Sequence, residues 1–183
     1  MYKILLLDDE PAIVSAMRRV ITRIPASWLA QPCEISGFND PNEALRSLEE
    51  TDYDVVISDL RMPGMGGLEF LSHAQQLQPD AMRIIISGHG DFSVVLAALN
   101  ETQVFRFVPK PWNDKELQLA LVQALLTRDL HRENEQLADR VRAGAGAWTH
   151  ETASMRKLEA ECPGITHVAR DDSGAICLDV GDI

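Results

Sequence analysis

The 183-residue sequence predicts an α/β fold, a parallel sheet covered by helices on both faces, with a long helix and a small tail after it. Three observations predict it. Short apolar runs alternate five times with longer, helix-like stretches, the pattern of strand–helix–strand crossovers. Runs such as Tyr2–Leu7 are apolar almost throughout, as strands buried on both sides are. Several of these runs then stop on an acid, a hydroxyl or a lysine, at the strand ends where open α/β sheets bind ligands.

The elements follow in order. Tyr2–Leu7 is the first strand and ends at Asp8-Asp9. A helix over 11–24 has Pro11 at its first position, where a missing N–H costs nothing. The loop "PASWLAQP" (25–32) leads to a strand over 33–38, and Asn39-Asp40-Pro41 reads as the start of a helix over 41–50. A strand over 54–58, a helix over 67–77, a strand over 82–86, a helix over 91–100 and a strand over 104–108 complete the alternation. A long helix begins near Asp114. Its apolar positions Leu117, Leu121, Ala124 and Leu125 form a core stripe. Farther on, Leu130, Asn134, Leu137 and Val141 have the 4-3-4 spacing of a short coiled-coil seam, or mark an isolated solvated helix. "RAGAGA" after Val141 reads as a hinge. A further helix over 148–161 and a hairpin around Asp171-Asp172-Ser173-Gly174 would form the tail. The expected organisation is therefore 1–126 as the main domain, 127–143 as an extended helix and linker, and 144–183 as a small helix-plus-hairpin tail.

Composition excludes several function classes. The net charge of -11 opposes attraction to DNA or anionic lipid, so direct DNA binding is not expected. No apolar run approaches the ~18–20 residues that span a bilayer. An acid within the first eight residues is not the pattern of a secretory signal, so none is expected here. Cys33, Cys162 and Cys177 are odd in number and unrelated in spacing, which reads as reduced thiols in a cytoplasm. The five histidines include no pair at metal-ligand spacing.

The strand ends carry the chemistry. The first strand delivers Asp8 and Asp9, the third Asp59, the fourth Ser87, and the fifth runs into Lys110. Each residue alone has an ordinary explanation: a helix cap, a turn serine, a surface lysine. Together they place three carboxylates, a hydroxyl and an ammonium along one sheet edge. Three such acids repel one another unless a cation sits among them, and oxygen ligands favour Mg²⁺ (or Mn²⁺) beside a phosphate. Lys110 and Ser87 then offer a charge and a donor to a phosphoryl group, and Asp59 is the candidate nucleophile for an acyl phosphate.

The segments "ILLLDDEP", "DVVISDLRMPGMGGLEFL", "RIIISGHGD" and "FRFVPKPW" resemble the bacterial response-regulator receiver (CheY-like) domain over roughly residues 1–126. The resemblance implies a flavodoxin-like (βα)5 fold with strand order 2-1-3-4-5. It implies Asp59 as phosphoacceptor and Asp9 as direct Mg²⁺ ligand. Asp8 would act largely through water, and the Arg61 carbonyl would complete the protein ligands. Ser87 stands at the switch hydroxyl, Lys110 at the phosphoryl-pairing lysine, and Phe107 at the aromatic switch, where the hydroxyl of the more usual tyrosine is missing. Arg61 and His89 occupy positions that modulate phosphoryl lifetime, or are simply exposed polar residues. The Lys110-Pro111 bond is expected to be cis, and Pro63 with Gly66-Gly67 to shape the turn after Asp59, using a glycine's freedom at positive φ.

The implied function is a two-component phosphorelay response regulator. A sensor histidine kinase or phosphotransfer protein would phosphorylate Asp59, with output through the C-terminal helix and tail, a partner or a homodimer. Enzymatic activity would be confined to self-phosphorylation and dephosphorylation. On the first helix, the rows Ile13, Met17, Val20, Ile24 and Val14, Ile21 are wide enough either to expose a kinase-docking stripe or to pack beneath the 25–32 loop. The alternatives are a receiver fragment of a longer output protein, or a haloacid-dehalogenase-type phosphohydrolase. The latter would need D-x-D-x-[TV] on the first strand, and Asp8-Asp9-Glu10-Pro11 does not supply it.

Overall fold

The computed structural model describes residues 1–88 and 103–161, with 143–161 as backbone only. The expected helix over 91–100, His89 and the expected hairpin lie outside the described residues. Five strands, β1 (Tyr2–Leu7), β2 (Cys33–Phe38), β3 (Val55–Asp59), β4 (Met82–Gly88) and β5 (Arg106–Lys110), form one parallel sheet in the order β2-β1-β3-β4-β5. Helices α1 (Pro11–Thr22), α2 (Pro41–Glu50), α3 (Gly67–Leu77) and α4 (Asp114–Glu161) accompany it, with a short 3-10 turn at Ala26–Trp28. The order places β1 and β3 at the centre, and their alternate residues divide between two cores. Ile4, Leu6, Val55 and Ile57 join Met17 of α1 and Leu117, Leu121 and Leu125 of α4. Leu5, Leu7 and Val56 join Leu48 of α2 and Phe70 and Leu71 of α3. Period-two alternation with both faces apolar is why these strands read as uninterrupted hydrophobic runs.

Local chemistry sets the element ends. Pro11 and Pro41 open their helices, and the Asp40 carboxylate caps α2 by accepting the Asn42 amide at 2.8 Å. In the β3–α3 connection, Gly64 takes the positive φ, at 82°. Gly66 has φ -73°, and Gly67 is needed for another reason: a Cβ there would lie 1.9 Å from the Asp59 carbonyl oxygen. The expectation of a positive-φ glycine belongs to Gly64, not to the Gly66-Gly67 pair.

Of the two readings of the α1 stripe, the structure supports packing beneath the 25–32 segment; the expected hinge is corrected. Met17 is 0% exposed, and Val14, Val20, Ile21 and Ile24 are buried with it, so the apolar rows of α1 belong to the core. Leu29 and Cys33 pack against the same cluster, and the width of the stripe reflects cover from the 25–32 segment. The "RAGAGA" segment is not a break, because α4 runs through it to Glu161. Glycine costs a helix interior about 1 kcal/mol, and the interleaved alanines are the best helix formers.

The chain divides into the units Met1–Arg132 and Glu133–Ile183. Near the end of the first, α4 is tied to the beginnings of the central strands. The Tyr2 hydroxyl donates to Asp129, Arg128 pairs with Asp54, and Asp54 also accepts the Lys3 amide at 2.6 Å. Gln118 donates to the Val20 carbonyl at 2.9 Å and fastens α4 to α1. In the second unit, Arg142 pairs with Asp139 at 2.8 Å. Among the described residues no helix is long and apolar enough to cross a membrane.

Candidate functional site

The strand register brings the predicted residues to one level. Leu7 lies beside Ser58, Asp59 beside Ile86, and Gly88 beside Lys110, so Asp8, Asp59, Ser87 and Lys110 emerge from neighbouring strand ends. Asp8 is 1% exposed, Asp59 6% and Ser87 1%. Two buried carboxylates this close would repel strongly without a cation. Lys110 supplies one: its Nζ donates to Asp8 Oδ2 at 2.7 Å and lies 2.6 Å from Asp59 Oδ1. The Lys110-Pro111 peptide is cis.

Main-chain amides complete the acids' environment. Glu10 N–H donates to Asp8 Oδ1 at 3.0 Å, and Arg61 N–H donates to Asp59 Oδ2 at 2.9 Å. Burial pushes the Asp8 carboxyl up, and the nearby Asp59 charge adds to this, against the opposing pull of Lys110 and the Glu10 amide. Burial alone would lower the Lys110 ammonium, but its bonds to Asp59 and Asp8 outweigh that and raise it. A Cβ built at Gly88 meets nothing within 4 Å, so the strand end next to Ser87 is uncrowded by the described residues.

Other predicted residues are less deeply buried. Asp9 and the Arg61 residue are exposed, and Phe107 is partly buried against the core under α2 and α3. Asn39 escaped the sequence reading, which took it only as part of a helix start. Its Nδ2 donates to the Asp8 carbonyl at 2.6 Å, across 31 residues of chain. The one signal available was its place directly after the strand that pairs with β1.

Among the described residues, no three His, Cys, Asp or Glu side chains enclose a common point that could hold a metal ion by themselves. Mg²⁺ does not require that. It is bound through one or two carboxylates, with water, carbonyl and phosphate oxygens filling the remaining positions. Asp8 and Asp59, already gathered around the cationic Lys110 nitrogen, fit such a donor set. Asp9 stands at the rim of the same strand end.

Residues 4–122 match the family described as response regulator receiver domain. The chain is 31% identical over 143 residues to the hydrogenase transcriptional regulatory protein HoxA of Bradyrhizobium diazoefficiens, covering 78% of this chain and 28% of that protein. It is 28% identical over 193 residues to HoxA of Cupriavidus necator, covering 96% and 38%. It thus spans well under half the length of these curated relatives. Among solved structures, an uncharacterized protein from Neptuniibacter caesariensis matches with a TM-score of 0.66 at 36% identity, covering 73% of this chain and 93% of that one. A response regulator receiver domain protein from Clostridium thermocellum matches with a TM-score of 0.63 at 28% identity, covering 71% and 98%. Receiver domains are regulatory rather than catalytic, interact with histidine kinases or phosphotransfer proteins, and generally bind Mg²⁺ for phosphorylation. With the family match reaching all five strands of a 2-1-3-4-5 sheet, the chain belongs to the receiver-domain family of two-component response regulators.

Proposed function

We propose that Asp59 is the phosphoacceptor of this receiver, and that Lys110 and Ser87 serve the transfer. The observation that carries the reading is the Lys110 ammonium seated between Asp8 and Asp59 at 2.7 and 2.6 Å. An Asp59 carboxylate oxygen attacks the phosphorus of a phosphohistidine, the P–N bond breaks, and the electron pair returns to the imidazole. Lys110 balances charge on the phosphoryl oxygens, and the Ser87 hydroxyl donates to one of them. The Arg61 amide holds the aspartate's second oxygen in place. Asp8, Asp9 and the Arg61 carbonyl would hold Mg²⁺ (or Mn²⁺), which neutralises charge on the transferring group.

The new phosphoryl group adds about -1.5 to -2 charges beside Lys110 and Ser87. Their closure on it shifts the population between two packings, and Phe107 follows through packing, having no hydroxyl to bond. Arg61 and His89 are the residues proposed to modulate phosphoryl lifetime. Output runs through the C-terminal part. The length of the relatives favours a place for this receiver in a longer output protein, within the cytoplasm, and the -11 charge disfavours direct DNA contact by this segment. Leu130, Leu137 and Val141 are exposed on α4, which supports a homodimer joined through residues 128–142.

Acetyl phosphate with Mg²⁺ tests the central reading. One hydroxylamine-labile phosphate per chain is expected, lost in Asp59→Asn and strongly reduced when divalent cations are chelated. Continued labelling of the Asn variant would remove Asp59 from this role.

A further inference from the structure

We propose that Asn39 is a positioning residue for the Asp8-Asp9 turn, and through it for the cation that the turn helps to hold. The inference rests on the reading of Asp8, Asp9 and Asp59 as the acids of a cation-assisted phosphoacceptor site. The β1–β2 ladder ends with Leu7 beside Phe38 and a last bond of 3.3 Å from the Asp8 amide to the Phe38 carbonyl. The next acceptor along β1 is the Asp8 carbonyl. The partner chain has turned away there: Asp40 is already capping α2, and Pro41 has no N–H to give. The Asn39 side chain takes the place of the missing main-chain donor, at 2.6 Å.

That bond has a specific consequence. The Asp8 carbonyl and the Asp9 amide share one rigid peptide plane, so holding the oxygen sets the direction in which Asp9 leaves the strand. Asp8 has independent supports, since Lys110 and the Glu10 amide hold its carboxylate. The Asp9 carboxylate is exposed and makes no hydrogen bond among the described residues, so its placement depends on the backbone beneath it. Asn39 on one side and the Glu10 amide on the other hold that backbone. Supporting groups of this kind orient ligands, and their removal weakens metal binding by roughly 10–100-fold.

Direct Mg²⁺ titration by calorimetry, together with unfolding measured without metal, tests the assignment in Asn39→Ala, Asn39→Gln and Asp40→Ala. Asp40→Ala disturbs the same connection by removing the α2 cap and leaves the Asn39 amide in place. Asn39→Ala is expected to weaken Mg²⁺ binding roughly tenfold, the low end of that range because it acts through one peptide. Labelling by acetyl phosphate should recover at saturating Mg²⁺. Asn39→Gln, which keeps a donor, should regain part of the affinity, and Asp40→Ala should lose stability with little change in affinity. Wild-type affinity in Asn39→Ala, or an equal loss of affinity in Asp40→Ala, would overturn the role of Asn39. A wild-type chain that neither binds Mg²⁺ nor takes up phosphate would instead sink the underlying reading of the site.

Discussion

Tyr2 and Asp129 lie 127 residues apart, yet one hydrogen bond joins the first strand to the last helix. Burial, followed by that bond to the Asp129 carboxylate, pushes the Tyr2 phenol up to about 12 from an ordinary 10.0. Between those values the unfolded chain gives up the proton and the folded chain keeps it. Fewer protons are then bound in the unfolded state, so stability falls as pH rises from 10 to 12. The stability advantage of wild type over Tyr2→Phe should therefore shrink across that window, by on the order of 2 kcal/mol. Urea unfolding of both proteins at several alkaline pH values measures it. A gap that stays constant would mean that neither burial nor Asp129 protects the phenol.

At the scale of elements, the β3–α3 connection separates two uses of glycine. Gly64 needs a backbone conformation that L-residues adopt reluctantly, and its Cβ position meets nothing within 4 Å. Gly64→Ala should cost about 1 kcal/mol. Gly67 has no unusual φ, but a methyl group there would strike the Asp59 carbonyl oxygen at 1.9 Å. Backbone cannot rotate away as a side chain can, so Gly67→Ala should cost about 3 kcal/mol or more and displace the end of β3. Denaturant unfolding should rank Gly67→Ala well below Gly64→Ala, and phosphate uptake at Asp59 should fall with it. Equal effects would show that α3 can shift to make room.

At the scale of the whole molecule, the central strands run from the candidate site to the ties that hold α4. β1 and β3 end at Asp8 and Asp59, and their beginnings hold Arg128 and Asp129 through Asp54 and Tyr2. α4 continues past these ties and carries Leu130 and Leu137 exposed. A long helix with apolar residues left in water gains by covering them, and a second copy of the same helix can do so. The double variant Leu130→Glu/Leu137→Glu should leave Asp59 phosphorylation intact and shift sedimentation from dimer to monomer. Truncation at Arg142 should alter the oligomeric state or its response to phosphate. Sedimentation identical to that of the wild type for both proteins, with and without phosphate, would remove α4 and the tail from self-association.

The sequence by itself determined the sheet, the helices α1, α2 and α3 beside it, the start of α4, and the edge where Asp8, Asp59, Ser87 and Lys110 meet. Buried parallel strands must be apolar on both faces, and a polar residue at the end of such a run is conspicuous against it. Neighbours along the chain carry that information. Tertiary structure alone decided that Met17 lies inside, that Asn39 reaches back to Asp8, that Gly67 must lack a side chain, and that Tyr2 and Arg128 find acids far away in the chain. Each of these depends on distances between segments separated in sequence, which local pattern does not decide. The helix through residues 142–147 belongs with them. Glycine there lowers local helix propensity by an amount that flanking alanines and the rest of a long helix can offset.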